Sequence, residues 1–192
     1  MRTRRGSTLK GVITFSLMVV NVVFWVPILL VVALAKLLIP LAAWRRWTSA
    51  LMIWIAQAWI SCNGAIFSLM GALRLEVDGV EGLDPRSWYL VLSNHQSWVD
   101  ILVLQKAFNR RIPFLKFFLK QELIWVPFLG LAWWALDFPF MQRKGGIKSG
   151  KTDLANTRKA CERFRLVPTS VMNFLEGTRY TAVKHKATKS PY

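Results

Sequence analysis

The sequence predicts an α/β domain carried behind two long apolar helices, and three observations lead there. Gly11 to Ala35 and Thr48 to Leu73 contain no charged residue, and each exceeds the roughly 20 residues a helix needs to cross a hydrocarbon core. From Leu75 onward the pattern changes to short apolar runs bounded by Pro, Gly and Asn, interleaved with amphipathic segments. That is how strands and helices packed on a sheet read in sequence. The division falls at residues 1–73 for the membrane-anchoring pair and 74–192 for the α/β part.

The apolar pair allows two arrangements. Asn21 and Pro27 interrupt the first stretch, and Gln57, Ser61 and Asn63 interrupt the second. Two spanning helices are one reading, and a hairpin dipping into one leaflet with its polar residues turned inward is the other. Lys36, Arg45 and Arg46 in the connector weigh against a double crossing. A cleaved signal peptide fits poorly, because the apolar run is too long and no small-residue cleavage site ends it. Either hairpin returns the chain to its starting side. The basic N-terminus places that side in the cytoplasm by the positive-inside tendency. Two cysteines, Cys62 and Cys161, make no disulfide framework.

The net charge of +16 calls for an anionic partner. It accompanies membrane segments rather than a nucleic-acid module, so anionic lipid headgroups and phosphorylated substrates explain it with fewer assumptions, and no nucleic-acid partner is expected.

Within the α/β part, Leu75 to Val80 alternates apolar and polar up to Gly79, as a short strand would. Trp88 to Leu92 is an apolar run between Pro85 and Asn94 that reads as a buried strand. Asp100 caps or enters a helix through Ile101, Leu104 and Phe108. Pro113 separates it from Phe114 to Leu123, with Pro127 and Gly130 ending that segment. Phe138 to Met141 is a further short strand. Lys151 to Leu166 carries Leu154, Cys161 and Phe164 at helical spacing, ahead of Pro168 and a last strand, Ser170 to Leu175.

Two local patterns carry possible chemistry. In Asn94-His95-Gln96-Ser97-Trp98-Val99-Asp100 a histidine and a carboxylate lie five apart. On one continuous helix they would sit about 140° apart around the axis. The segment must therefore straddle a bend, with His95 after a strand and Asp100 in the first helical turn. Asn94 is placed to hold that bend through backbone hydrogen bonds. Such a pair can act as a base with an orienting carboxylate; the plainer alternative is a helix cap beside an ordinary loop histidine. Ser97 has no nucleophile elbow around it and reads as structural. The second pattern, Glu176-Gly177-Thr178-Arg179, ends an apolar strand. Gly177 allows a tight turn, Thr178 offers a hydroxyl and Arg179 can grip a phosphate. A turn closed by a salt bridge is the plainer alternative there. Arg143 is a second candidate phosphate ligand, and Lys120 a weaker one, since Phe114 to Lys120 also reads as an interfacial basic-aromatic stripe.

These residues resemble the glycerolipid acyltransferases, specifically the bacterial 1-acyl-glycerol-3-phosphate acyltransferases. His95-x4-Asp100 matches that family's first block. Phe140-Met141-Gln142-Arg143 resembles the second, and Phe174-Leu175-Glu176-Gly177-Thr178-Arg179 the third, which usually has proline where this chain has Leu175. Lys120-Gln121-Glu122-Leu123 resembles the family's Lys-x-Glu-Leu segment. The likeness runs from about Leu73 to the end. A fourth, proline-containing block does not appear before Tyr192, so the resemblance implies a C-terminally incomplete domain.

The resemblance implies a mixed sheet flanked by helices, and a membrane-bound enzyme of the bacterial inner membrane with its catalytic domain on the cytoplasmic side. It implies acyl transfer from acyl-CoA or acyl-carrier protein to the free hydroxyl of lysophosphatidic acid. His95 and Asp100 would be catalytic, with Arg143, Glu176, Gly177, Thr178, Arg179 and Lys120 binding substrate. No metal or resident cofactor is expected, the acyl carrier being a co-substrate. Two alternatives stay open: another lysophospholipid acceptor, or an inactive membrane- or lipid-binding chain.

Overall fold

A computed structural model describes residues 2–71, 75–141 and 168–175, together with Arg158, Glu162, Tyr180 and Thr181, with side chains from Thr8 onward. The chain opens with two helices, α1 (Arg2–Leu38) and α2 (Ala42–Leu69). Pro40 lies in the short connection, where its fixed φ and missing N–H prevent the first helix from running on. The Trp44 indole N–H donates to the Ala35 carbonyl at 3.0 Å, satisfying an acceptor that the end of α1 leaves open. Deeper in the hairpin, the Asn21 side-chain amide donates to Asn63 Oδ1 at 2.8 Å and to the Trp59 carbonyl at 3.2 Å. The polar interruptions of the two apolar stretches thus meet each other inside the pair.

The α/β part begins with β1 (Tyr89–Ser93), followed by α3 (Val99–Phe108), β2 (Leu115–Phe117), β3 (Leu119–Lys120) and a 3-10 turn at Gln121–Trp125. Then come α4 (Leu129–Ala135), β4 (Phe140–Met141) and β5 (Ser170–Phe174). One sheet has the order β1-β5-β2, and β3 pairs with β4 in a second. Every pairing among the described residues is parallel, with Tyr89 opposite Ser170 and Ser93 opposite Phe174. The mixed sheet expected from sequence is therefore a parallel one over these residues. Parallel strands need long crossovers, and the helices that supply them cover the sheet faces.

Three segments depart from the sequence reading. Leu75 to Val80 forms no strand; Gly79 takes φ +72° there and the stretch stays irregular. Phe114 to Leu123 divides between β2, β3 and the 3-10 turn, because its two halves pair with different partners, β5 and β4. Gly130 does not end an element but sits in α4, where a Cβ would overlap the Ile124 carbonyl. The helix expected over Lys151 to Leu166 lies outside the described residues except at Arg158 and Glu162, which are helical and paired at 3.7 Å.

One apolar core joins hairpin and domain. Val26, Leu29, Ala33, Met52, Ile55 and Ile60 cluster with Phe114, Leu115, Phe117, Leu136, Phe138 and Met172. Polar contacts reinforce the joint. Lys106 Nζ reaches the Gly64 carbonyl at 3.3 Å and Ser68 Oγ at 2.8 Å, and the Asn109 amide donates to the Gln57 carbonyl and Ser61 Oγ. Near the hairpin turn, Lys36 Nζ lies 4.0 Å from Asp137 Oδ2. Gln57 and Ser61, read as interruptions of a membrane segment, are thus acceptors for Asn109, just past the end of α3.

Candidate active site

The parallel sheet sets where chemistry can sit, because loops at the carboxyl ends of neighbouring parallel strands converge on one edge. At that edge β1 ends at Ser93 and β5 at Phe174, paired across the sheet. His95 follows two residues beyond β1, in a bend that leads into α3. Asp100 lies in the first turn of α3, where the helix dipole favours an anion.

Asp100 folds back to organise that bend. Its Oδ2 accepts from the backbone N–H of Gln96 at 2.6 Å and of Ser97 at 2.7 Å, and contacts His95 Nδ1 at 3.2 Å. Its Oδ1 accepts from Ser97 Oγ at 3.2 Å. Ser97 Oγ in turn accepts from the Val99 N–H at 3.1 Å. The straddled bend is as expected, but its holder differs. Among the described residues Asn94 contributes only its carbonyl, which accepts from Ser93 Oγ, while Asp100 makes the bonds that hold the loop. Ser97 is structural, bracing the carboxylate.

Burial alone would raise the Asp100 pKa. The N–H groups of Ser97 and Gln96, the His95 ring and the Ser97 hydroxyl outweigh it and hold the carboxyl below its ordinary value. An ionised carboxylate can only accept, so the facing Nδ1 of His95 carries a proton. In the neutral ring Nε2 then keeps its lone pair, the arrangement a base requires. The His95 and Asp100 side chains are 15% and 25% exposed, shielded yet reachable.

Two features of this site were not anticipated. The Phe174 ring stacks on the His95 imidazole, with centroids 4.0 Å apart and planes 16° from parallel. The His95 carbonyl accepts from the Tyr180 N–H at 2.7 Å, while the Leu175 N–H donates to the Ser93 carbonyl at 3.4 Å. The two blocks, some eighty residues apart in sequence, are therefore tied on both sides of the 176–179 segment. The missed signal was register: once Ser93 and Phe174 pair, Phe174 must lie beside whatever follows β1.

Arg143, Glu176, Gly177, Thr178 and Arg179, the candidate anion site, lie outside the described residues. The strands leading to them are placed: β4 ends at Met141 and β5 at Phe174. Lys120 is exposed at the carboxyl end of β3, opposite Met141, beside the strand that leads to Arg143. Among the described residues no cluster of His, Cys, Asp and Glu could hold a metal ion.

A family model described as Acyltransferase matches residues 74–190. The 1-acyl-sn-glycerol-3-phosphate acyltransferase alpha of Mus musculus is 32% identical over 123 residues, 62% of this chain and 38% of the mouse protein. The Homo sapiens protein of the same name matches to the same extent. The chain thus spans 38% of the length of these relatives. Among solved structures, the 1-acyl-sn-glycerophosphate (LPA) acyltransferase PlsC of Thermotoga maritima superposes with a TM-score of 0.65 at 20% identity. That overlay takes in 95% of this chain and 65% of the other, hairpin as well as sheet, and shows a shared fold. The family match runs through more than half of the chain and includes β1, α3 and β5 with the His95–Asp100 bend between them. The chain belongs to the acyltransferase family, as the glycerolipid acyltransferase blocks in its sequence implied.

Proposed function

We propose that this protein transfers an acyl chain from a thioester donor, acyl-CoA or acyl-carrier protein, to the free hydroxyl of 1-acyl-glycerol-3-phosphate, giving phosphatidic acid. The observation that carries the reading is the His95–Asp100 contact at the carboxyl edge of the sheet, inside the family match. The names of the relatives supply the acceptor class. His95 Nε2 takes the proton of the acceptor hydroxyl as its oxygen attacks the thioester carbonyl, and Asp100 steadies the imidazolium that forms. The tetrahedral adduct collapses, the C–S bond breaks, and His95 returns the proton to the departing thiolate. Nothing is retained on the enzyme. In this reading Arg143, Glu176, Gly177, Thr178 and Arg179 hold the phosphate and glycerol, with Lys120 nearby.

The same proposal sets the protein on a membrane, its hairpin lying in one leaflet. Both helices are long and apolar enough to cross a bilayer. Against crossing, α2 is bonded from Gln57 to Ser68 to Lys106 of α3 and to Asn109 just past its end. That length is about 17 Å of helix axis. A crossing would carry these side chains into hydrocarbon, which is costly. The face of α1 turned away from the domain exposes Val12, Phe15, Val20, Val23, Phe24 and Val31, a surface suited to acyl chains. Basic flanks at both ends of the hairpin favour anionic headgroups and a cytoplasmic orientation, as on a bacterial inner membrane.

The test is thiol release from acyl-CoA by membranes carrying the full-length protein, with and without lysophosphatidic acid. Release that depends on the acceptor supports the reading, and a repeat with acyl-carrier protein separates the donors. Equal release with and without acceptor from both donors would overturn it.

A further inference from the structure

We propose that Phe174 is a positioning residue for His95, fixing the plane of the imidazole; this rests on the reading of His95 as the base. The bond from His95 Nδ1 to Asp100 holds one atom of the ring. A histidine's second side-chain torsion has broad minima, so the ring can still swing about that contact and carry Nε2 off line. A flat neighbour removes this swing. Phe174 supplies one, stacked at 4.0 Å and 16° from parallel. The backbone supports the same placement: Ser93 pairs with Phe174, and Tyr180 N–H ties the His95 carbonyl at 2.7 Å. Ring edge, ring face and main chain of His95 are therefore each held by a different partner.

The face of a phenyl ring carries partial negative charge and attracts a cation within about 6 Å of its centre. The imidazole is neutral before it takes the hydroxyl proton and cationic afterwards, so the stack is stronger in the state formed during reaction. Among the described residues the charged group in contact with the imidazole is the Asp100 carboxylate. It pulls in the same direction. A leucine at 174 would keep the apolar packing that Phe174 shares with the core but would lack both the flat surface and the charged face.

The experiment uses the full-length protein reconstituted in lipid nanodiscs, comparing wild type with Phe174→Leu and Phe174→Tyr. Two readouts are taken: kcat and KM for lysophosphatidic acid, and the chemical shifts of the His95 ring protons by NMR. The chain has two histidines, His95 and His185, so a His185→Gln background isolates the ring of interest. Phe174→Leu is expected to lower kcat about 10-fold with KM within roughly twofold. Its His95 protons should lose their upfield ring-current shift. Phe174→Tyr, which keeps the ring face, should hold kcat within about threefold and keep that shift. Where Phe174→Leu fails to fold, Phe174→Met takes its place. Wild-type kcat in the Leu or Met variant, or a Tyr variant that falls as far as Leu, would overturn the proposal. Should wild type show no acyl transfer, the functional reading fails separately, while the ring shifts still decide whether the stack holds the imidazole.

Discussion

At the residue scale, Asp100 has two duties that a sequence motif does not distinguish. It closes the bend after β1 through two backbone N–H groups, and it orients the His95 ring. Asp100→Asn tests both. An amide can accept through its oxygen only, so it cannot serve the Oδ2 cluster and the Ser97 hydroxyl in the same way. Acyl transfer is expected to fall by about 10²-fold or more, read as kcat in the acceptor-dependent assay. Stability should respond with a definite sign. Because folding lowers the Asp100 pKa from its ordinary value of 3.8, its contribution is present above that pH and is lost as pH falls through the lower folded value. The Tm difference between wild type and Asp100→Asn should therefore hold at neutral pH and shrink below 3.8. The dyad was legible in sequence because five residues cannot share a helical face, which forces a bend. Phe174 was not, since its contact with His95 depends on the pairing of β1 with β5, and a single sequence does not state register.

At the scale of elements, the sequence was readable where a run had clear punctuation. β1, α3 and β5 fall within a residue or two of the segments marked by Pro85, Asn94, Asp100 and Pro168. It misled where alternation lacked a partner. Leu75 to Val80 has the period of a strand, but a strand needs a neighbour to satisfy its N–H and C=O groups, and none of the described strands supplies one. Gly130 was read as punctuation and is a packing contact instead. Gly130→Ala must push α4 from the Ile124 carbonyl, and we expect a loss of about 1–3 kcal/mol in stability, measured by denaturant or thermal unfolding in detergent. An unchanged Tm would show that α4 has room to shift.

The hairpin offers a second test at this scale. Asn21 and Asn63 are both buried, and the Asn21 amide donates to Asn63 Oδ1 across the two helices. Asn21→Leu leaves Asn63 Oδ1 without its donor and should cost about 1–3 kcal/mol. Asn21→Leu with Asn63→Leu should recover most of that loss, because an apolar pair strands no polar atom. A double mutant as unstable as the sum of its singles would mean the two side chains act independently.

For the whole molecule, one apolar core ties the hairpin to the parallel sheet, so the two share a scaffold. In the proposed function the exposed side of α1 is the lipid contact and the net charge of +16 its electrostatic support. Flotation with vesicles containing anionic lipid should therefore persist in high salt, though weakened, since salt screens the charges and leaves the apolar contact. The parallel sheet then presents His95 at an edge where the loops after β1 and β5 meet. In the proposed reaction this histidine is the base for acyl transfer. The most direct measurement is phosphatidic acid formation from labelled lysophosphatidic acid and acyl thioester by purified full-length protein, beside His95→Ala. We predict acceptor-dependent product from wild type and a fall of about 10²–10⁴-fold in a variant that keeps its Tm and its vesicle binding. Product formation at the wild-type rate by folded His95→Ala would contradict the account.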